Sequence, residues 1–267
     1  MTSDNVILVA GGDLRQQYAA RRLRQKTGAD VWTLGLPAQS GLHSAETLEE
    51  VPAYDVLVLP VPASPDGTTV PAPFGKAALP LETLAAHGKP GALVLGGACG
   101  GILPWLESRG LVAADYLRRE ELCLANAVPS AEGAIQIAME ETARTLHGTA
   151  ALVIGYGRIG MALAPRLRGL GMDVTVCARR CETRALAEMQ GFAAVPTEQL
   201  PAAAKAALVI FNTVPALVLD ETVLKGLPQE TLVIDLASRP GGTDFEAAKR
   251  LRTRVVWALS LPPEMRR

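Results

Sequence analysis

The chain has 267 residues, of which 49% are hydrophobic and 20% are charged, and its formal net charge is −1. This length suits one large or two modest globular domains. The near-neutral charge gives no electrostatic reason to expect binding to nucleic acid or to a membrane surface. The first residues, MTSDNVILVAGGD, lack a basic stretch followed by a long apolar run, so we expect no signal peptide and a cytoplasmic protein. No apolar run is long enough to span a bilayer.

Four cysteines occur, at Cys99, Cys123, Cys177 and Cys181. Only the last two are close in sequence, and they lack a second pair or a neighbouring histidine. A structural metal site needs about four ligands of this kind. We therefore expect small, reduced, half-buried cysteines and no metal.

Short β-branched runs alternate with stretches rich in Ala, Leu and Arg, which predicts βαβ units and parallel sheets. In the first half a helix is predicted over 13–29 and a surface loop rich in Pro and Gly over 62–76. The predicted strands of this half are 5–12, 30–36, 54–62 and 91–97.

The turn VAGGDLRQ (9–16) joins the first strand to the first helix but lacks a third glycine. It either holds an anion through the helix N-terminus and Arg15, or it is a plain turn in which Asp13 caps the helix. The sequence leaves these two interpretations equally open.

A long helix is predicted over 128–147, because Pro129 suits a first helical turn and Ser130 suits a cap near it. A second set of strands follows, at 150–155, 173–178, 207–213, 231–236 and 254–258.

The segment ALVIGYGRIGMALAPRL places Gly155, Gly157 and Gly160 in the pattern G-x-G-x-x-G, after an apolar strand and at the start of a helix. The first glycine permits a tight turn, the second lets a pyrophosphate approach the backbone, and the third lets helix and strand pack closely. The phosphates then lie at the positive end of the helix, beside Arg158 and Ile159. The alternative is a glycine-rich turn of purely structural use.

The second strand of this unit ends in DVTVCARRC. An NAD-binding domain usually carries Asp or Glu at this point, which holds the ribose hydroxyls. Here Ala178 is followed by Arg179 and Arg180, whose planar cations suit a 2′-phosphate. The pattern therefore predicts NADP as the cofactor, unless both arginines are merely solvated.

Together these elements predict an α/β protein of two doubly wound parallel-sheet (Rossmann-like) domains joined by a long helix, with a cleft between the domains. The predicted boundaries are 1–127 for the first domain, 128–147 for the linking helix and 148–267 for the NADP-binding domain.

The three histidines are His43, His87 and His147, so the second domain has none downstream of 147. Many two-domain dehydrogenases that oxidise alcohols use such a histidine as acid and base. There is no G-x-S-x-G motif to indicate a hydrolase. A hydride transfer that needs little acid or base help fits better, for example oxidation of a cyclic imine to an aromatic ring.

The segments GGDLRQ, NAVPSAEGAIQIAMEET, FNTVPALVL and VIDLASRPGGTDF resemble those of the dipicolinate synthase A subunit, and the similarity runs from about residue 5 to 261. The resemblance implies NADP-dependent oxidation of dihydrodipicolinate to dipicolinate, a compound of bacterial endospores. It also implies that the partner is the flavoprotein-like B subunit of the synthase.

The resemblance also implies site residues at the ends of strands and at the start of the linking helix. The cofactor is expected to contact Thr213, Val214, Pro215, Asp235 and Ser238, in addition to the glycine motif and the arginines. The dicarboxylate substrate is expected to contact Arg15, Asn126, Ser130 and Arg239. Glu132 is a candidate proton acceptor, or it simply favours the helix dipole.

The family continues beyond ALSLP into a C-terminal helix, whereas this sequence reads ALSLPPEMRR and ends. We therefore expect weaker closure of the cleft and low activity when the chain acts alone. Two other functions stay open: a nucleotide-binding scaffold without turnover, and a dehydrogenase of the 2-hydroxy-acid or adenosylhomocysteine type. The sequence also leaves a homo-oligomer open.

Overall fold

A computed structural model describes residues 5–258 of the chain. Two compact units meet in sequence between Leu122 and Cys123. Each unit contains a six-stranded sheet whose strands are all parallel. The prediction of two parallel-sheet α/β domains is therefore confirmed.

The first unit has the strand order β3-β2-β1-β4-β7-β8 in its main sheet, with a separate antiparallel pair, β5 and β6. All five residues of β1 are buried, because helices cover both faces of a parallel sheet. The strands are β1 (Val6–Ala10), β2 (Asp30–Leu34), β3 (His43–Ala45), β4 (Tyr54–Val58), β5 (Thr69–Val70), β6 (Leu79–Pro80), β7 (Gly88–Gly96) and β8 (Val112–Asp115). The helices are α1 (Leu14–Thr27), α2 (Leu81–Ala86) and α3 (Leu103–Ser108).

The segment 62–76 is only partly the surface loop that the sequence predicts. Ala63 and Val70 are buried, and the Pro71 carbonyl accepts a hydrogen bond from the Gly12 amide at 2.6 Å. The prediction is wrong for these residues because Val70 packs against the turn after β1 and the Ala63 amide bonds the Gly97 carbonyl after β7.

Helix α4 (Glu120–Glu141) carries the chain from the first unit into the second. The predicted range 128–147 is wrong at both ends. Its start is too late because Pro129 is typical of a first helical turn, and its end is too late because the helix stops at Glu141. Proline lacks the amide that would bond the Ala125 carbonyl, yet the helix runs through it. Ser130 is not a cap, since its hydroxyl donates back to the Asn126 carbonyl at 2.9 Å.

The second unit has the strand order β11-β10-β9-β12-β13-β14. Three alanines of α4 (Ala131, Ala134 and Ala138) pack into its core. The strands are β9 (Ala150–Ile154), β10 (Asp173–Cys177), β11 (Ala193–Val195), β12 (Val209–Asn212), β13 (Leu232–Asp235) and β14 (Arg254–Trp257). The helices are α5 (Arg158–Gly169), α6 (Cys181–Met189), α7 (Leu200–Ala206), α8 (Glu221–Lys225) and α9 (Phe245–Leu251).

In this order the chain leaves the central strand β9 in one direction to β10 and in the other to β12. Doubly wound sheets bind ligands beyond the carboxyl ends of the strands at such a reversal point. The topology therefore points to the turns after β9, β10 and β12. The prediction about closure by the C-terminal segment concerns residues 259–267, which lie outside the described residues.

Within residues 5–258, no helix combines the length and apolar character needed to cross a membrane. In the same range, no three His, Cys, Asp or Glu side chains are grouped so that they could hold a metal ion. The four cysteines, all of which lie in that range, form no disulfide there.

Candidate functional site

The glycine motif forms the turn between β9 and α5. Gly155 adopts a φ of 88°, and a Cβ there would come within 2.4 Å of Thr213 Oγ1. A Cβ on Gly160 would come within 2.3 Å of the Gly155 carbonyl oxygen. The space around Gly157, by contrast, is open. These surroundings match the three roles of a dinucleotide-binding turn: a strained turn, an open approach for phosphate, and close packing of helix on strand.

Gly157 stands at the N-cap position of α5, which has no side-chain cap. The first bond from an amide to the carbonyl four residues earlier runs from Met161 to Gly157. The amides of Arg158, Ile159 and Gly160 therefore precede the regular bonding of the helix. The positive end of a 12-residue helix thus lies at this turn.

A cavity of about 410 Å³ opens beside this turn, at the carboxyl ends of β9, β10 and β12. It brings together predicted residues from three separate turns. Its lining consists of Ile154, Gly155, Tyr156, Gly157, Cys177, Ala178, Arg179, Arg180, Thr183, Thr197, Val214, Ala216 and Val218. Within the described part of the chain, no Asp or Glu side chain lines this cavity.

The end of β10 supplies the cationic side of the cavity. Arg179 and Arg180 are exposed, and Arg180 lies 3.6 Å from Glu182 in a loose, solvated ion pair. Cys177 is buried beneath them, and burial raises the pKa of its thiol to about 11, with the charge of Glu198 acting in the same direction. That thiol is therefore protonated and inert near neutral pH.

The turn after β12 forms the opposite side. The Thr213 hydroxyl and amide both donate to the Ile154 carbonyl at 2.9 Å, which ties this turn to the end of β9. Val214 lines the cavity, whereas Pro215 is exposed and lies outside the lining. The next residues that face the cavity, Ala216 and Val218, carry no polar group that sequence reasoning would single out.

Asp235 is fully buried at the end of β13. Its Oδ1 accepts bonds from Asn212 Nδ2 and the Ala237 amide, both at 3.0 Å. Its Oδ2 accepts from the Gly242 amide at 2.9 Å and from the Thr243 hydroxyl at 2.7 Å. The carboxylate therefore organises the loop 236–243. It has no exposed surface, whereas the predicted contact with the cofactor requires some.

The loop 236–243 carries the predicted residues Ser238 and Arg239, both of which are exposed. The Arg239 guanidinium lies over the Trp257 ring, 5.8 Å from its centroid. The same ring stacks on Phe245 with centroids 4.7 Å apart, and its indole N–H donates to the Ala237 carbonyl at 3.1 Å. An aromatic platform thus supports a solvent-accessible cation beside the sheet.

The residues predicted on α4 are not equivalent to one another. Asn126 is exposed and Ser130 is buried. Glu132 keeps 65% of its side chain exposed and reaches Arg166 only at 4.0 Å. Glu132 is therefore a hydrated surface carboxylate, and the contacts predicted for these residues stay predictions.

In the first unit, Asp13 caps α1 by accepting a bond from the Arg15 amide at 2.9 Å. The Arg15 guanidinium also grips this carboxylate, with N–O distances of 2.7–3.0 Å. The hydrogen bond from the Arg15 side chain is the main reason that the pKa of Asp13 is lowered. The cap interpretation of this turn is confirmed, and an anion role for Arg15, whose side chain is 48% exposed, stays a prediction.

Comparison with known proteins matches each unit to a known domain. Residues 6–116 match the N-terminal domain of the dipicolinate synthase A subunit. Residues 125–239 match the NAD binding domain of D-isomer specific 2-hydroxyacid dehydrogenases. The dipicolinate synthase A subunit from Bacillus subtilis (strain 168) is 31% identical over 96% of this chain and 88% of its own length.

The chain belongs to the family of dipicolinate synthase A subunits. Two solved structures of this family agree with that assignment. The protein from Bacillus halodurans has a TM-score of 0.88 at 28% identity, covering 98% of this chain and 92% of its own. The protein from B. subtilis has a TM-score of 0.83 at 28% identity, with coverages of 97% and 88%. The second unit thus has the fold of a nicotinamide dinucleotide-binding domain of a dehydrogenase.

Proposed function

We propose that this chain is the NADP-dependent subunit of a dipicolinate synthase, which oxidises dihydrodipicolinate to dipicolinate. The observation that carries the proposal is the cavity beside Gly155 and Gly157, which has an uncapped helix N-terminus on one side and Arg179 and Arg180 on another. Membership of the family of dipicolinate synthase A subunits supports the choice of substrate.

The charges of the cavity favour NADP over NAD. A phosphate monoester carries a charge of about −1.5 to −2 near neutral pH, and two guanidinium groups with no lining carboxylate suit it. Glu182 competes for Arg180, but both side chains of this pair are mostly exposed, at 64% and 68%. Such an exposed pair is worth little, so Arg180 can turn to a 2′-phosphate at low cost.

When bound, the nicotinamide would accept the hydride that leaves the substrate ring. Oxidation of dihydrodipicolinate releases one hydride and one proton, and the ring becomes aromatic. We propose that Arg239 holds one substrate carboxylate, because its cation is exposed on a platform beside the sheet. Ser238, Asn126, Ser130 and Arg15 are proposed as further substrate or cofactor contacts.

Aromatisation supplies much of the driving force, and only one proton leaves the ring, so one proton acceptor is enough. Glu132, hydrated and 65% exposed, is the proposed acceptor. The family name also supports a second component, and we propose that the B subunit of the synthase completes the enzyme.

Fluorescence titration with NADPH and with NADH tests the cofactor proposal. One desolvated contact between arginine and phosphate is worth about 1.5–3 kcal/mol, or about tenfold to a hundredfold in affinity. NADPH should bind at least about tenfold more tightly than NADH. The double variant Arg179→Ala/Arg180→Ala should remove this difference, whereas Arg250→Ala, on α9 of the same unit, should leave it unchanged.

Equal affinities for NADPH and NADH in the parent protein would contradict the cofactor proposal. The reaction itself is tested by following the absorbance of NADPH as it forms from NADP and dihydrodipicolinate, with and without the B subunit. Absence of turnover in both cases, while NADPH still binds, would favour the nucleotide-binding scaffold instead.

A further inference from the structure

A third arginine lies at the end of β10, one turn into α6. The Arg184 Nη1 donates to the Ala178 carbonyl at 3.0 Å and to the Arg179 carbonyl at 2.8 Å. Both of these residues line the cavity. Arg184 is half-buried, and its own amide bonds the Arg180 carbonyl at 3.2 Å. The first turn of α6 therefore places this guanidinium against the backbone that carries the two exposed arginines.

The two carbonyls matter because of what a ribose needs. The hydroxyls of an NAD ribose donate to an acceptor at the end of this strand, usually a carboxylate. Here the side chain at that point belongs to Ala178, so no carboxylate stands there, and the carbonyl oxygens of Ala178 and Arg179 are backbone acceptors of residues that line the cavity. Arg184 already occupies both. It thereby takes one of the two lone pairs on each oxygen, which weakens both as acceptors for a free 2′-hydroxyl, and it offsets two partial negative charges that would repel a 2′-phosphate.

The positive charge of Arg184 also reaches neighbouring groups. It opposes the rise that burial and Glu198 cause in the pKa of Cys177. At Glu182, the backbone amide and the Cys181 thiol lower the pKa most, and the charges of Arg180 and Arg184 lower it further. The fields of Arg180 and Arg184 thus overlap at Glu182, at the end of β10, and the acid that acts on Cys177 there is Glu198.

We propose that Arg184 is a positioning residue that sets the preference for NADPH, by holding the carbonyls of Ala178 and Arg179 and so orienting the exposed arginines toward a 2′-phosphate. This inference rests on the proposed cofactor.

The test measures the dissociation constants of NADPH and NADH for the parent, Arg184→Met and Arg184→Lys, with thermal unfolding of each. Methionine keeps the length and helix propensity but removes charge and donors. We expect Arg184→Met to bind NADPH about five- to tenfold more weakly, with NADH binding unchanged or tighter, as for the loss of one charged hydrogen-bonding group. Lysine keeps a charge and donors, so the ratio of NADPH affinity to NADH affinity in Arg184→Lys should stay within about threefold of the parent.

Three outcomes would overturn the inference: an unchanged ratio in Arg184→Met, equal weakening of both cofactors, or a Lys variant that loses the preference as fully as the Met variant. If Arg184→Met unfolds, the Lys variant together with Arg184→Gln decides the question. Failure of the cofactor proposal looks different, because the parent itself would then show no preference for NADPH.

Discussion

Replacing Asp235 by asparagine should destabilise the protein although the two side chains have nearly the same shape. The buried carboxylate accepts two bonds at each oxygen, and a carboxamide offers only one oxygen. If its NH₂ group faces Asn212 and the Ala237 amide, two donors lose their acceptor. If it faces Gly242 and Thr243, the hydroxyl can rotate and accept, and only the Gly242 amide is stranded.

The magnitude follows from the second, cheaper arrangement. A stranded buried donor costs about 1–3 kcal/mol, and each hydrogen bond to a charged group contributes about 1.5–3 kcal/mol. The lower cost of burying a neutral side chain offsets part of this loss. We expect Asp235→Asn to lower the free energy of unfolding by about 2–4 kcal/mol, or the melting temperature by about 5–15 °C.

Urea unfolding followed by circular dichroism measures this loss, and the control is Asp220→Asn. Asp220 caps α8 by accepting one bond from the Val223 amide, and asparagine caps a helix about as well as aspartate. The same chemical change should therefore cost less than about 0.5 kcal/mol there. If Asp235→Asn and Asp220→Asn behaved alike, the buried network would not be what holds the loop 236–243.

Three further outcomes are expected. Gly160→Ala should lower the free energy of unfolding by about 1–3 kcal/mol and weaken NADPH binding in titration, because α5 must move away from the Gly155 carbonyl. Gly169→Ala, whose added methyl group would lie in open space, should leave the free energy of unfolding unchanged. Asp13→Asn should lower the melting temperature at pH 7. Because the pKa of Asp13 is lowered in the folded protein, the stabilisation by its carboxylate is present above the ordinary carboxyl pKa and is lost as the pH falls through the lowered value. A difference in melting temperature between parent and variant that persists in acid would refute the ion pair. Arg15→Ala should weaken dipicolinate binding in calorimetry and leave NADPH binding unchanged. If the affinities for both ligands stayed the same, Arg15 would be purely structural.

The central strands and the glycine turn can be predicted because their signals are local. An apolar run followed by G-x-G-x-x-G specifies strand, turn and helix within a few residues, and the arginines follow β10 directly. The short strands β3, β8 and β11 escape prediction, since three or four partly exposed residues at a sheet edge give neither a long apolar run nor a clear alternation.

The role of Asp235 cannot be predicted for a different reason. The sequence shows a carboxylate at a strand end, which is where ligand-binding residues stand. What decides its role is the return of Gly242 and Thr243 to that carboxylate, seven and eight residues later. Arg184 escapes prediction in the same way, because its partners are backbone carbonyls, which leave no mark in the sequence.

The two units show why the sheet topology alone does not locate the function. Both have a central strand where the winding direction reverses, β1 in one and β9 in the other. After β1, the Asp13 carboxylate accepts a bond from the Arg15 amide and the Gly12 amide donates to the Pro71 carbonyl, so the chain itself occupies donors of that turn. After β9, the space at Gly157 is open and arginines stand nearby. The same fold can therefore bind a nucleotide only where its own residues leave the turn accessible. The residues of the turn, and not the sheet topology, decide which unit binds the nucleotide.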